Sequence, residues 1–133
     1  MAKVFVFGSN LEGQHGGGAA AFAVRRHRAK MGVAEGRTGN AYAIPTMDYR
    51  RRIGDFTLPL EEIAGYAKTF IAYVKAHPKD VFLMTAIGCG IAGLTPEQVA
   101  PLFAAAPANV LMPRPWHLTL FGKVVPERQS FDQ

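Results

Sequence analysis

The sequence predicts an α/β fold, specifically a three-layer α/β/α domain with a mostly parallel sheet. Predicted strands and helices alternate along the chain, in the order strand, helix, strand, helix, strand, helix, strand. The runs "KVFVF" and "DVFLM" lack polar alternation, which is typical of strands buried between two helical layers. The 133 residues are 49% hydrophobic and contain no repeat or linker, so we expect one domain over residues 1–133.

The first predicted strand covers residues 3–7 and closes at Gly8. A helix is predicted from Gly17 or Gly18 to about Met31, because Ala, Phe and Val residues of "AAAFAV" share a face opposite the arginines of "RRHR". Gly32 is the predicted stop signal of this helix.

A second strand is predicted over residues 41–46, followed by a polar, basic loop over residues 47–56. The next helix has Thr57 as its expected cap and Pro59 in its first turn. Pro78 forbids its continuation.

The run "DVFLMTAIG" predicts the third strand, and "NVLMP" the last one. Between them, Thr95, Pro96 and Gln98 predict a capping box at the start of a short helix, which Pro101 is expected to bend. The tail after Trp116 is expected to add an edge segment or to cover the core.

Composition restricts the class of protein. No apolar run reaches the roughly 18 residues that span a bilayer, and the N-terminus lacks a secretory pattern. The lone Cys89 fits a reducing compartment, so we expect a cytoplasmic protein without a membrane partner. No spacing of histidines or cysteines indicates a metal, and no cofactor is expected. The net charge of +5, concentrated in "RRHRAK" and "YRRR", favours anionic partners.

Three glycine- or proline-bearing loops follow three predicted strands: "GSNLEGQHGGG", "PTMDYRRR" and "GCGIAG". Ligands of open α/β sheets bind outside the carboxyl ends of the strands, so these loops predict a cleft there. Bare backbone before a helix favours a phosphate or diphosphate. The glycines match neither a P-loop nor a dinucleotide-binding fingerprint.

These segments carry a resemblance. "GSN…GGGAAAFAVRR", "AYAIPT" and "FLMTAIGCGIAGL" resemble, in this order, the macrodomain family that binds ADP-ribose. The last segment is most similar to ADP-ribosyl-glutamate hydrolases of that family. The pattern is also similar to that of small, uncharacterised bacterial and phage proteins.

The resemblance implies a macrodomain-like domain that binds ADP-ribose or a related nucleotide, free or on a macromolecule. It implies that Asn10, Gly16, Gly17 and Gly18 contact the distal ribose. It implies that the later loop wraps the diphosphate and that the end of the second strand adds a contact; these positions are Thr46, Gly88, Cys89, Gly90 and Ile91.

The sequence differs from the hydrolases at the positions of their catalytic residues. Ala92 stands at the position of their aspartate, and no lysine follows the second strand. Hydrolysis of an ADP-ribosyl linkage would need other groups. His15, beside the glycines, and Asp48, which could activate water, are the catalytic candidates, whereas Cys89 is expected to be structural.

Two other interpretations stay open. The basic clusters and the pI near 9.7 would suit a nucleic-acid-binding protein without enzymatic activity. Alternatively, the glycines only pack a helix close to the sheet, and an exposed apolar tail from Trp116 to Phe121 makes an oligomer.

Overall fold

A computed structural model describes residues 1–50, 55–125 and 131. The described elements are β1 (Lys3–Asn10), α1 (Gly18–His27), β2 (Gly36–Thr38), β3 (Ala41–Met47), α2 (Leu60–Ala76), β4 (Val81–Met84), α3 (Pro96–Val99), a 3-10 helix (Ala100–Phe103), β5 (Val110–Leu111) and α4 (Arg114–Phe121).

The five strands form one sheet in the order β2-β3-β1-β4-β5. The strand pairs β3-β1, β1-β4 and β4-β5 are parallel, and only the short edge strand β2 runs antiparallel to its neighbour. The predicted α/β fold with a mostly parallel sheet is therefore confirmed. Parallel pairing also brings the carboxyl ends of β3, β1 and β4 to one edge of the sheet.

Apolar residues cover both faces of the sheet. Phe5 and Phe7 of β1 pack with small residues of α1, including Ala23. Val4 and Val6 point to the other face and join a larger core with α2, the 3-10 helix and α4. Because successive side chains of a strand alternate between faces, an all-apolar β1 is buried on both sides.

The first helix is shorter than predicted. It ends at His27, and Arg28 adopts a left-handed conformation with φ of 61°, so Gly32 is not the stop. The N–H of Ala29 then donates to the carbonyl of Ala23 at 3.1 Å, which closes the helix end. The sequence also misses β2, whose three residues are too few for a detectable pattern.

The start of α2 corrects another expectation. Pro59 occupies the cap position, and Thr57 does not cap the helix. Its hydroxyl instead donates to the carbonyl of Ala92 at 2.7 Å, which links two loops. The predicted loop over residues 47–56 begins one residue later than expected, because Met47 belongs to β3, where it also bridges to Thr57. Residues 51–54 of this loop lie outside the described residues.

The C-terminal half confirms one prediction and limits another. Thr95 and Gln98 form the predicted capping box, and the chain tightens into the 3-10 helix that contains Pro101. The tail forms α4, in which Trp116 and His117 are fully buried. Leu118 of the same helix is 54% exposed, so the expected exposed apolar surface is reduced to part of the segment, and the oligomer stays a prediction.

Candidate functional site

A cleft of about 560 Å³ lies over the carboxyl ends of β3, β1 and β4. Each of the three loops singled out from the sequence contributes to its lining. Residues 16–20 form one wall, residues 46, 47 and 49 follow β3, and residues 85–88 and 90–92 follow β4. Gly17 and Gly90, which are far apart in sequence, therefore line the same cleft.

Four glycines of the cleft have no packing role. A Cβ atom added to Gly16, Gly17, Gly18 or Gly90 would have no heavy atom within 4 Å, apart from its immediate neighbours. Only Gly18 among them, with φ of +57°, has a backbone conformation that disfavours side chains. The interpretation that these glycines pack a helix against the sheet is therefore wrong for this loop.

The N-terminus of α1 leaves donors free in the cleft. Gly17 occupies the cap position without a side-chain hydrogen bond, and the first turn contains no acidic residue. The first hydrogen bond of the helix runs from Ala21 N–H to the carbonyl of Gly17, at 3.2 Å. The N–H groups of residues 16–20 thus have no acceptor among the described residues, and the helix dipole adds partial positive charge there.

The loop after β4 presents a second group of donors. Gly93 N–H donates to the carbonyl of Gly90 at 2.9 Å, and Leu94 N–H donates to that of Gly88 at 2.8 Å. These turns leave the N–H groups of residues 90–92 without an acceptor in the described part of the chain. The two groups of donors belong to walls of the same cleft.

Asn10 lines the cleft, but its side chain mainly orders the glycine-rich loop. Its amide nitrogen donates to the carbonyl of Gln14 at 2.8 Å, and its oxygen accepts from the N–H of Gln14 at 2.9 Å. The loop is also held from behind, since the N–H of Gly32 donates to the carbonyl of Gly13 at 2.8 Å. A Cβ on Gly13 would come within 2.5 Å of Gly32, so a glycine is needed at this close approach.

His15 is buried beneath the loop and is not among the residues that line the cleft. Its Nε2 lies 3.1 Å from the carbonyl of Val33, so Nε2 carries the proton and donates. Its ring packs edge-on against Phe7 at 5.1 Å. This placement suits an anchor of the loop better than an acid or base that reaches a ligand.

Asp48 lies beside the cleft, and its carboxylate is engaged by Arg50. One oxygen accepts from the N–H of Arg50 at 3.0 Å and lies 3.1 Å from its Nε. These contacts hold the pKa of Asp48 below its ordinary value. Glu12 joins the group, since it accepts from the N–H of Tyr49 at 3.0 Å and lies 3.0 Å from the same Nε.

Three of the remaining predicted residues line the cleft, and Cys89 does not. Thr46 and Ile91 line the cleft, and Ile91 is 83% exposed. Gly88 also lines it, yet a Cβ there would lie 3.3 Å from Leu94, and its φ of +75° favours glycine. Cys89 turns toward the core, and burial raises the pKa of its thiol, which fits the structural role expected of it.

The cleft also contains residues that the sequence did not reveal, among them Ser9, Gln14, Tyr49 and Thr85. Tyr49 is the one described lining residue with a titratable side chain, and none of the others carries a charge. Ser9 and Gln14 belong to the glycine-rich segment after β1, so their position in the sequence could have suggested that they line the cleft. Thr85 follows β4 inside a run that predicts a buried strand, so the sequence gave no separate signal for it. In the structure its hydroxyl donates to the buried carbonyl of Val6 at 2.8 Å.

Comparison of the chain with protein-family models, with curated proteins and with solved structures finds no match. Within residues 1–50, 55–125 and 131, no group of three or more His, Cys, Asp or Glu side chains is arranged to hold a metal. None of the described helices has both the length and the hydrophobicity that a membrane crossing needs.

Proposed function

We propose that the cleft binds ADP-ribose or a related nucleotide through its diphosphate. The observation that carries this proposal is that residues 16–20 and 90–92 line one cleft and that their backbone N–H groups have no acceptor among the described residues. Hydrogen bonds to an ionised acceptor are stronger than those between neutral groups, so a diphosphate gains most from such donors. The volume of about 560 Å³ suits a ligand of nucleotide size.

The lining favours binding over hydrolysis. A hydrolase needs a nucleophile, or an acid or base, within reach of the scissile bond. His15 is buried behind the loop, Asp48 is held by Arg50, and Ala92 stands where the resembling hydrolases have an aspartate. We therefore propose a binding protein for the free nucleotide or for a macromolecule that carries it.

Calorimetry with ADP-ribose tests this function, with AMP and ribose 5-phosphate as single-phosphate controls. The variants Gly17→Leu and Gly90→Leu should lose the heat of binding, because their side chains would enter the cleft. Both sites accept a side chain without strain, since neither has a positive φ nor a neighbour within 4 Å.

Gly65→Leu is the matched control. Gly65 is exposed in α2, a Cβ there also meets nothing within 4 Å, and it is not among the cleft residues. This variant should keep the wild-type heat. Absence of heat from wild type at millimolar ADP-ribose, or unchanged binding in Gly17→Leu and Gly90→Leu, would overturn the proposal.

A further inference from the structure

The C-terminal end of α1 presents four basic side chains within six residues. The side chains of Arg25, Arg26, Arg28 and Lys30 belong to exposed residues. None of them forms an ion pair with a described acidic residue, whereas Arg37 and Arg50 both do. We call the surface formed by these four residues the basic end of α1.

This surface accounts for most of the excess charge of the chain. The net charge is +5, and the basic end contributes +4 without a nearby acidic residue in its sequence segment. The other residues together therefore carry a net charge of only +1. This uneven distribution of charge produces a positive potential on one surface. Charges that served only solubility would be distributed over the whole molecule.

Hydrogen bonds hold the backbone that carries these cations. Ala29 is buried between Arg28 and Lys30, and its N–H closes the end of α1. The N–H of Lys30 donates to the hydroxyl of Thr38 at 3.0 Å, and the N–H of Asn40 donates to the carbonyl of His27 at 2.8 Å. Side chains on a fixed backbone lose less entropy when they bind a partner.

The backbone conformation of Arg28 independently indicates that this surface has a function. It is the one non-glycine residue with positive φ in the described part of the chain, at the helix end where glycine is usual. Interaction with the helix dipole does not require this cluster, because α2 has a single basic residue, Lys75, in its last turn. An arginine kept in a disfavoured conformation points to a use for its side chain.

We propose that the basic end of α1 binds the phosphate backbone of a nucleic acid, independently of base sequence. Arginine and lysine spaced along a helix end match a row of phosphates. Among the described residues, this surface offers no ring for base stacking, because His27 lies stacked on Phe5 at 4.5 Å. Burial lowers the pKa of His27, so this histidine adds no charge near neutral pH.

An anionic membrane is a less suitable partner. Membrane-surface helices insert an apolar face beside their cations. The apolar face of α1 is occupied, since Ala20 and Ala23 are buried against the sheet and Phe22 packs on the same cluster. The basic end also lies about 15 Å from the cleft, along a helix of 10 residues, so this inference does not rest on the proposed function.

Fluorescence anisotropy with a labelled 20-base-pair duplex tests the proposal, in salt from 50 to 200 mM. If all four cations contact phosphates, affinity should fall roughly 100-fold over this range. Arg25→Glu/Arg26→Glu should weaken binding at least about tenfold at 50 mM salt and leave the calorimetric response to ADP-ribose unchanged.

Lys68→Glu/Lys75→Glu is the matched control, because both lysines are exposed on α2 and the change in net charge is the same. It should retain most of the affinity. Equal losses in the two double variants, no binding by wild type at 50 mM salt, or tighter binding to anionic vesicles than to duplex at equal phosphate, would overturn the proposal.

Arg28→Gly tests the strained position. Glycine relieves the left-handed conformation, so the melting temperature should rise while duplex affinity falls and the slope of its salt dependence decreases by about 0.9. An unchanged duplex affinity would remove Arg28 from the contact surface and overturn its assignment.

Discussion

The two edges of the sheet differ in whether their backbone N–H groups have hydrogen-bond acceptors. At the amino ends of the strands, Asp80 accepts the N–H of Ala2 at 2.9 Å and lies 3.6 Å from Arg37. Arg37 in turn donates to the hydroxyl of Tyr73 at 2.9 Å. At the carboxyl ends, the N–H groups of residues 16–20 and 90–92 have no acceptor in the described part of the protein.

The helix N-termini show the same contrast. The four-residue helix α3 has a full capping box, in which Thr95 accepts from the N–H of Gln98 at 3.3 Å. The ten-residue helix α1 has no capping side chain at Gly17. Satisfied donors stabilise a fold, whereas unsatisfied donors at a cleft are available to a ligand. The contrast therefore distinguishes the uncapped start of α1, which lines the cleft, from the capped start of α3, which does not.

Supplying the missing cap should have the largest effect on binding. Gly17 has the extended conformation of a cap residue, with φ of −153°, so Gly17→Asp can satisfy the first turn of α1. We expect a loss of ADP-ribose affinity of at least about 100-fold, and a free energy of unfolding higher by roughly 0.5 kcal/mol. Calorimetry and urea unfolding measure the two quantities. Retained affinity would show that the free donors are not the binding groups.

Removing the side chain that orders the loop should have a smaller effect on both quantities. Asn10→Ala deletes two hydrogen bonds to the backbone of Gln14. We expect the free energy of unfolding to fall by about 1–2 kcal/mol and ADP-ribose affinity to fall about tenfold, because the ligand must then order the loop. Asn10→Asp keeps only the acceptor and should lie between wild type and alanine. A loss of stability with full affinity would contradict a positioning role.

Removing an existing cap should change stability alone. Thr95→Ala eliminates the side-chain acceptor of α3, which should cost about 1 kcal/mol in urea unfolding. The hydroxyl does not line the cleft, so ADP-ribose affinity should not change. A parallel loss of affinity would mean that the cap orders the loop after β4 and that its role is not confined to stability.

The smallest expected effect belongs to the partly exposed ion pair at the amino edge. The hydrogen bond from Ala2 N–H, together with Arg37, lowers the pKa of Asp80 in the folded state. Its contribution to stability is therefore present above the unfolded pKa of about 3.9 and is lost as the pH falls through the lower folded value. Asp80→Asn should be less stable than wild type at pH 7, with a difference that shrinks toward pH 3. A difference independent of pH would exclude this linkage.

Short-range patterns predicted much of the fold. The buried strands, the helix before Pro78 and the capping box of Thr95 and Gln98 depend on residues a few positions apart, so the printed order of residues contains the required information. The same patterns missed β2 and the true end of α1. Three residues of strand and an arginine in a left-handed conformation give no periodic signal.

The order of residues alone indicated that three glycine- or proline-bearing loops follow three strands, and therefore that they gather at one edge of a parallel sheet. Only the tertiary structure decided which glycines open into the cleft, as Gly17 and Gly90 do, and which fit a close approach, as Gly13 does. It also buried His15 and the tryptophan of the tail. The physical reason is that burial and access depend on atoms contributed by distant segments, which no local pattern specifies.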